Sequence, residues 1–206
     1  KNGDMKNIVL SYKDIEKYIA ELPTEDERAY YSAQYYAAKK DSKAIREYEK
    51  LLQSEKYKAY ASKGLGDYYF DKKDLSKAKK YYGDYATVNK NPDEYILYRL
   101  GQANEKENNL KMALTDYKAV YSKNGKLAND AMLRAAEIYD KQENVAEAEK
   151  LFTKLYGVKN NKDLKAYSIE KLIYYKLVKE NTKEAKKLYD ELKKLDAKRA
   201  EKFKAY

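Results

Sequence analysis

Five short stretches decide the fold: KAIREY (43–48), KAKKYY (77–82), MALTDY (112–117), EAEKLF (147–152) and EAKKLY (184–189). Each has Ala second and an aromatic four residues later. The anchoring residues are Ala44, Ala78, Ala113, Ala148 and Ala185, at intervals of 34, 35, 35 and 37 residues. Ahead of each lies another periodic segment: YYSAQYY (30–36), KGLGDYY (63–69), YRLGQAN (98–104), LRAAEIY (133–139) and EKLIYYK (170–176). Small residues recur twelve positions before the alanine at Ser32, Gly66, Gly101 and Ala136, and the fifth unit has Ile173 there. A fixed period of this length marks a repeat architecture.

Helix geometry gives the pattern its meaning. A small residue lets the first helix of a pair cross the second at close range, with the alanine as the matching contact. An aromatic four residues on lies on the same face and fills the space between layers. Short polar breaks separate the two helices: KKDS (39–42), DKKD (71–74), KENN (106–109), QEN (142–144) and KEN (179–181). Ser42, Asp74, Asn109, Asn144 and Thr182 stand where N-caps are wanted. Pro92, followed by Asp and Glu, reads as the first turn of a helix.

These units resemble tetratricopeptide repeats. Leu65-Gly66, Tyr69, Ala78 and Tyr82 match that family's pattern, as do Leu100-Gly101, Ala113 and Tyr117, with Asn104 replacing one aromatic. Ala135-Ala136, Tyr139, Ala148 and Phe152 match in a third unit, and Ser32, Tyr35, Ala44 and Tyr48 in the unit from about residue 25. In the last unit Lys176 replaces the tyrosine, and Tyr174 or Tyr175 substitutes if the helix shifts register. The resemblance implies an all-α, right-handed superhelical solenoid of about 11–12 helices in antiparallel pairs. Five repeats are expected over 25–194, starting near 25, 59, 94, 129 and 166. Residues 1–24 read as the second helix of a preceding partial repeat, ended by Pro23, so that the chain is a fragment of a longer array. Residues 195–206 read as a capping helix.

In such a solenoid the first helices line a concave groove. Family positions carried onto this sequence place Tyr36, Tyr60, Lys63, Asp67, Phe70, Tyr95, Tyr98, Gln102, Lys106, Leu133, Glu137, Tyr167, Glu170 and Tyr174 on it. These tyrosines either form platforms for a bound peptide or pack between helices of adjacent units. One subclass of the family binds the C-terminal carboxylate of its partners through Lys and Asn. Lys63 keeps one such position, but Asp67 stands where Asn is needed and would repel a carboxylate. Arg99 and Asp130 depart from that pattern too.

Composition sets the outer bounds. The 206 residues include 44 Lys+Arg, 34 Asp+Glu, 25 Tyr and 3 Phe, with no His, Cys or Trp. Without His or Cys there is no thiol or imidazole for a metal site, a nucleophile or a general base, and neither enzyme activity nor a cofactor is expected. Carboxylate pairs such as Glu147 with Glu149 carry no information in so acidic a chain, and Gly64 and Gly66 fit helix packing better than a phosphate loop. The net charge of +10 comes from 39 Lys and only 5 Arg. Acids and bases alternate along the helices, a solvated pattern in which no specific nucleic-acid site is visible. No run of 18 apolar residues exists, so no transmembrane segment is expected.

The partner expected is a protein or peptide segment bound in the groove. The units, 122–139 above all, look like those of bacterial periplasmic and outer-membrane-associated repeat proteins, which implies a place in envelope assembly at the periplasm or outer-membrane periphery. The alternatives are a module that self-associates through an open array end and an ancillary domain tethered to an absent N-terminal one.

Overall fold

The computed structural model describes residues 12–89 and 91–204, and it is helical throughout, with no strand among the described residues. Whatever the sequence reading assigned to 1–11 and to 205–206 lies outside those residues. The chain divides into two compact units, one ending at Pro92 and the other beginning at Asp93. The first holds α1 (Tyr12–Ala20), α2 (Glu25–Ala38), α3 (Lys43–Leu51), α4 (Lys58–Asp71) and α5 (Leu75–Val88). The second holds α6 (Glu94–Lys106), α7 (Leu110–Tyr121), α8 (Ala128–Lys141), α9 (Val145–Tyr156), α10 (Lys162–Val178), α11 (Thr182–Leu195), the four-residue α12 (Ala197–Ala200) and a 3₁₀ turn (Glu201–Phe203). Within each unit every helix packs mainly on its neighbours in sequence.

The alanine ladder is the core. Ala44, Ala78, Ala113, Ala148 and Ala185 are all buried, and Tyr82, Tyr117 and Phe152 are wholly buried beside them. The small residues do more than admit a helix crossing. A Cβ on Gly66 would stand 2.5 Å from the Tyr82 ring, and one on Gly101 would stand 2.7 Å from the Tyr117 ring. Each glycine is thus a slot filled by the aromatic of the same helix pair. In the first pair the aromatic turns the other way: Tyr48 of α3 fills the space left by Gly64 of α4. The last pair departs from the rule, because Leu188 is its buried residue while Tyr189 is only half-buried.

The turn inside every pair is one motif repeated five times. Lys40, Lys73, Asn108, Glu143 and Glu180 sit at φ of 56°, 64°, 60°, 58° and 58°. In each, this residue's N–H and the next reach back to two carbonyls of the preceding helix, as Glu143 does to Asp140 and Asn144 to Tyr139. That is a Schellman ending, in which glycine is the favoured left-handed residue. Glu143→Gly is therefore expected to raise the unfolding free energy by about 0.5–1 kcal/mol, measured by urea denaturation. Lys150→Gly, exposed inside α9, should lower it by a similar amount.

Caps follow the sequence reading in part. Asp74 and Asn144 accept from the backbone three residues on. Ser42 does not; Asp41 accepts from Lys43 N instead, at 2.9 Å. Asn109 makes no side-chain cap, and at the last pair Asn181 caps while Thr182 is already helical. Pro92 lies outside its helix, which Asp93 caps by accepting from Ile96 N at 2.9 Å. At Asp74, Asp93, Asn144 and Asn181 the capping group is an Asx oxygen that accepts from the backbone three residues on.

Candidate partner-binding face

Side chains three and four apart share one face of a helix. On α6 that face carries Tyr95, Tyr98, Gln102 and Lys106; on α8 Asp130, Leu133, Glu137 and Lys141; on α10 Tyr167, Glu170, Tyr174 and Val178. Neighbouring first helices of the second unit are joined across this face by polar contacts. Arg134 meets Glu105 at 3.2 Å and Glu137 at 3.4 Å. The Tyr167 hydroxyl donates to Glu137 at 3.4 Å. Lys171 donates to Asp140 at 2.6 Å, and the Tyr175 hydroxyl donates to the other oxygen of that carboxylate at 2.5 Å. Glu170 takes Arg199 at 3.0 Å and Lys202 at 2.5 Å.

These contacts hold the aromatic rings. Tyr98 lies 5.6 Å from Tyr117 in a tilted pair, and Tyr167 stands edge-on to Phe152 at 5.9 Å. Arg99 lies over the Tyr95 ring at 5.6 Å and also donates to Gln102 at 3.4 Å. Burial raises the Tyr98 phenol above its ordinary range, and the nearby Asp130 adds to the shift. Burial raises Tyr167 likewise, with Lys171 opposing. Both are neutral donors throughout the physiological range.

Between α8 and α10 the surface opens into a cleft of about 720 Å³, walled by Asp140, Lys141, Lys171, Tyr174, Val178 and Phe203 among others. Tyr174 is 56 % exposed and Val178 58 %. The Tyr174 ring meets Tyr175 edge-on at 6.0 Å, which fixes its base. The cleft joins two exposed apolar side chains to charges of both signs that are held in place.

The first unit treats its candidates differently. Tyr60 stacks into a cluster with Tyr30 at 4.5 Å and Tyr48 at 5.6 Å. Burial, then the adjacent Tyr48 hydroxyl, drives its phenol far above the ordinary value. Tyr36 is half-buried under Lys43, whose ammonium lies 5.4 Å from the ring. Asp67 accepts the Tyr82 hydroxyl at 2.7 Å and shares a cleft with Asp41, Asp71 and Lys72, while Lys63 is half-buried. Phe70 corrects the sequence reading: it is only 6 % exposed and belongs to the core, since helix rotation turns it inward. Leu133 is half-buried and packs on the core of the second unit, and Lys106 is exposed.

The sequence reading missed Arg134 and Lys171, the cations that bind one first helix to the next, and Arg199, which binds α12 to α10. Their signal was available. Each stands 29 or 31 residues after an acid, as Glu105–Arg134, Asp140–Lys171 and Glu170–Arg199 do. That offset is a little under one repeat and places opposite charges on adjacent first helices, or on α10 and α12 for the last pair. Among the described residues no cluster of carboxylates suits a metal ion, and no helix is long and apolar enough to cross a membrane.

No family model and no curated protein matches the chain. Solved structures do. The C-terminal part of a TPR repeat-containing protein from Cytophaga hutchinsonii superposes with a TM-score of 0.75 at 20% identity, covering 91% of this chain and 78% of that one. YrrB, described as a TPR protein with an unusual peptide-binding site, gives 0.65 at 18% identity over 94% and 97%. PilF of Pseudomonas aeruginosa gives 0.63 at 18% identity over 94% and 87%.

Proposed function

The chain has the tetratricopeptide fold, and from that premise we propose that it is a non-catalytic scaffold that binds a protein segment along its first-helix face. The carrying observation is the α8–α10 cleft, where Tyr174 and Val178 stand exposed among side chains already fixed by ion pairs. Groups ordered before binding lose little entropy on contact, and tyrosine supplies wide area with few rotatable bonds. The segment that suits the cleft has an apolar side chain to lie against Tyr174, flanked by polar groups. The peptide-binding site named for YrrB supports the same use of the fold here. The chain has no His and no Cys, so a catalytic role would lack the commonest general base and the thiol nucleophile. The reading extends to organising a bacterial envelope, supported by the style of the 122–139 segment.

The test is a peptide selected from a displayed library against the 206-residue chain, with affinity measured by calorimetry. Tyr174→Ala should weaken binding at least about tenfold. Met112→Ala, also exposed but on α7, should leave it unchanged. Equal effects of the two substitutions would contradict the assignment.

A further inference from the structure

The second helices of the second unit sort their charges by side. Helices α7, α9 and α11 carry nine lysines, and every one is exposed. They carry six acids, of which only Asp190 is exposed. Three of the others are spent on neighbouring helices. Asp116 accepts from Asn104 at 2.7 Å. Glu149 takes Lys176 at 2.8 Å and also Lys179. Glu191 takes Lys165 at 2.9 Å and accepts the Tyr156 hydroxyl at 2.8 Å, which ties α9 to α11. Glu147 draws in Lys150 at 3.7 Å, and Glu184 is half-buried. The lysines fall on one face. Lys111 and Lys183 stand two residues before the ladder alanines Ala113 and Ala185, and Lys150 and Lys187 stand two residues after Ala148 and Ala185. Those alanines are buried, so equivalent positions on successive pairs point outward together. On α11 five lysines (Lys183, Lys186, Lys187, Lys193 and Lys194) lie opposite the buried Ala185, Leu188 and Leu192. They extend along most of a helix about 21 Å long, and none of them forms an ion pair among the described residues.

We infer that this second-helix face docks on an anionic lipid surface, with α11 lying along the headgroups. The make-up of the face selects that partner. A protein interface is poor in lysine and needs an apolar or aromatic anchor, whereas Met112 is the one large apolar side chain exposed on these helices among the described residues. Nucleic-acid recognition favours arginine, and the unit's Arg99, Arg134 and Arg199 are engaged on or beside the first helices. Lysine is a hydrated point charge that asks for no fixed partner geometry. It suits headgroup charge that is spread out and laterally mobile. The attraction is electrostatic and therefore sensitive to salt. The cleft that holds Tyr174 uses other side chains, on first helices, and this inference stands independently of the peptide-binding reading.

The test is co-sedimentation of the 206-residue chain with vesicles at low salt. Vesicles of phosphatidylcholine with about one third phosphatidylglycerol should carry the protein down, and vesicles of phosphatidylcholine alone should not. Capture should vanish at about 0.5 M salt. Two variants lower the net charge equally. In one, Lys183, Lys187, Lys193 and Lys194 all become glutamine. In the other the same change is made at Lys106, Lys126, Lys141 and Lys162, on or next to first helices of the same unit. All of these side chains are exposed, and circular dichroism confirms both folds. The α11 variant should bind anionic vesicles at least about tenfold more weakly than the native chain, and the other variant within about twofold of it. Failure of the native chain to bind anionic vesicles would overturn the proposal. So would equal capture by neutral vesicles, or equal losses in the two variants, which would trace binding to net charge alone. A short DNA duplex is titrated in parallel. Tighter binding of the duplex than of the anionic vesicles, lost in the α11 variant, would assign the face to a nucleic acid and overturn the proposal too.

Discussion

Replacing Tyr117 with alanine should destabilise the protein by about 3–5 kcal/mol, the usual cost of emptying a filled aromatic site. Tyr117 is wholly buried, its ring occupies the space left by Gly101, and its hydroxyl donates to Glu105 at 2.7 Å. The pairing predicts more than a loss. In the native background Gly101→Ala drives a methyl to within 2.7 Å of the ring. The ring is held by Glu105 and cannot swing aside, so about 1–3 kcal/mol should be lost to overpacking. In the Tyr117→Ala background the same change meets no ring. It then gains about 0.5–1 kcal/mol from the better helix propensity of alanine. Urea denaturation of the four proteins checks this reversal of sign, and additive effects would show that the slot and the ring are not partners.

The second large effect is alkaline unfolding. The Tyr117 and Tyr175 phenols, both wholly buried, are raised well above 10 by burial, with hydrogen bonds to Glu105 and Asp140 adding to the shift. A raised phenol means that the folded state holds a proton that the unfolded state releases from about pH 10 upward. Stability from these groups is complete below that pH and falls as pH rises. These two phenols cost about 3 kcal/mol per pH unit above pH 10, the raised Tyr60 adds to that, and together they are enough to unfold the chain by about pH 12. Lys171, which burial would lower but which its bond to Asp140 and the neighbouring Tyr167 and Glu170 raise on balance, acts in the same direction. On the acid side Glu149 is held below its ordinary range by Lys176 and Lys179, so its contribution is present above about pH 4.3 and is lost as pH falls. With no histidine in the chain, unfolding free energy should be flat from pH 6 to 9, and urea denaturation followed by circular dichroism at each pH reads all three regions. Substituting phenylalanine at both 117 and 175 should make the alkaline limb markedly shallower, with Tyr60 carrying what remains; an unaltered limb would contradict its assignment.

The helix pairs were legible because the alanine and its aromatic must recur at helical spacing for each pair to close. Ala113 with Tyr117 and Ala148 with Phe152 say this without any coordinates. The role of the glycines was only half legible. That Gly101 permits close approach follows from its size, but that it receives Tyr117 depends on how the aromatic side chain turns, and periodicity does not encode that. Phe70 shows the same limit. Its position is groove-like by family spacing, but helix rotation turns it inward. The caps failed by one residue at Thr182 because Asn181 is the better acceptor beside a Schellman turn. Of the candidate face, the tyrosines were readable and the cations that hold it were not. Arg134 and Lys171 look like ordinary surface charges until their offset from Glu105 and Asp140 is noticed.

Binding through first helices is the claim on which the functional account rests. A photo-crosslinking amino acid placed at position 174 on α10, and separately at position 112 on α7, tests it within the second unit and in the cells that make the protein. Both side chains are exposed, at 56 % and 47 %, so accessibility alone does not favour either. The account predicts one discrete, saturable adduct from position 174 and none from position 112. An adduct from position 112 alone, or none from position 174, would contradict it.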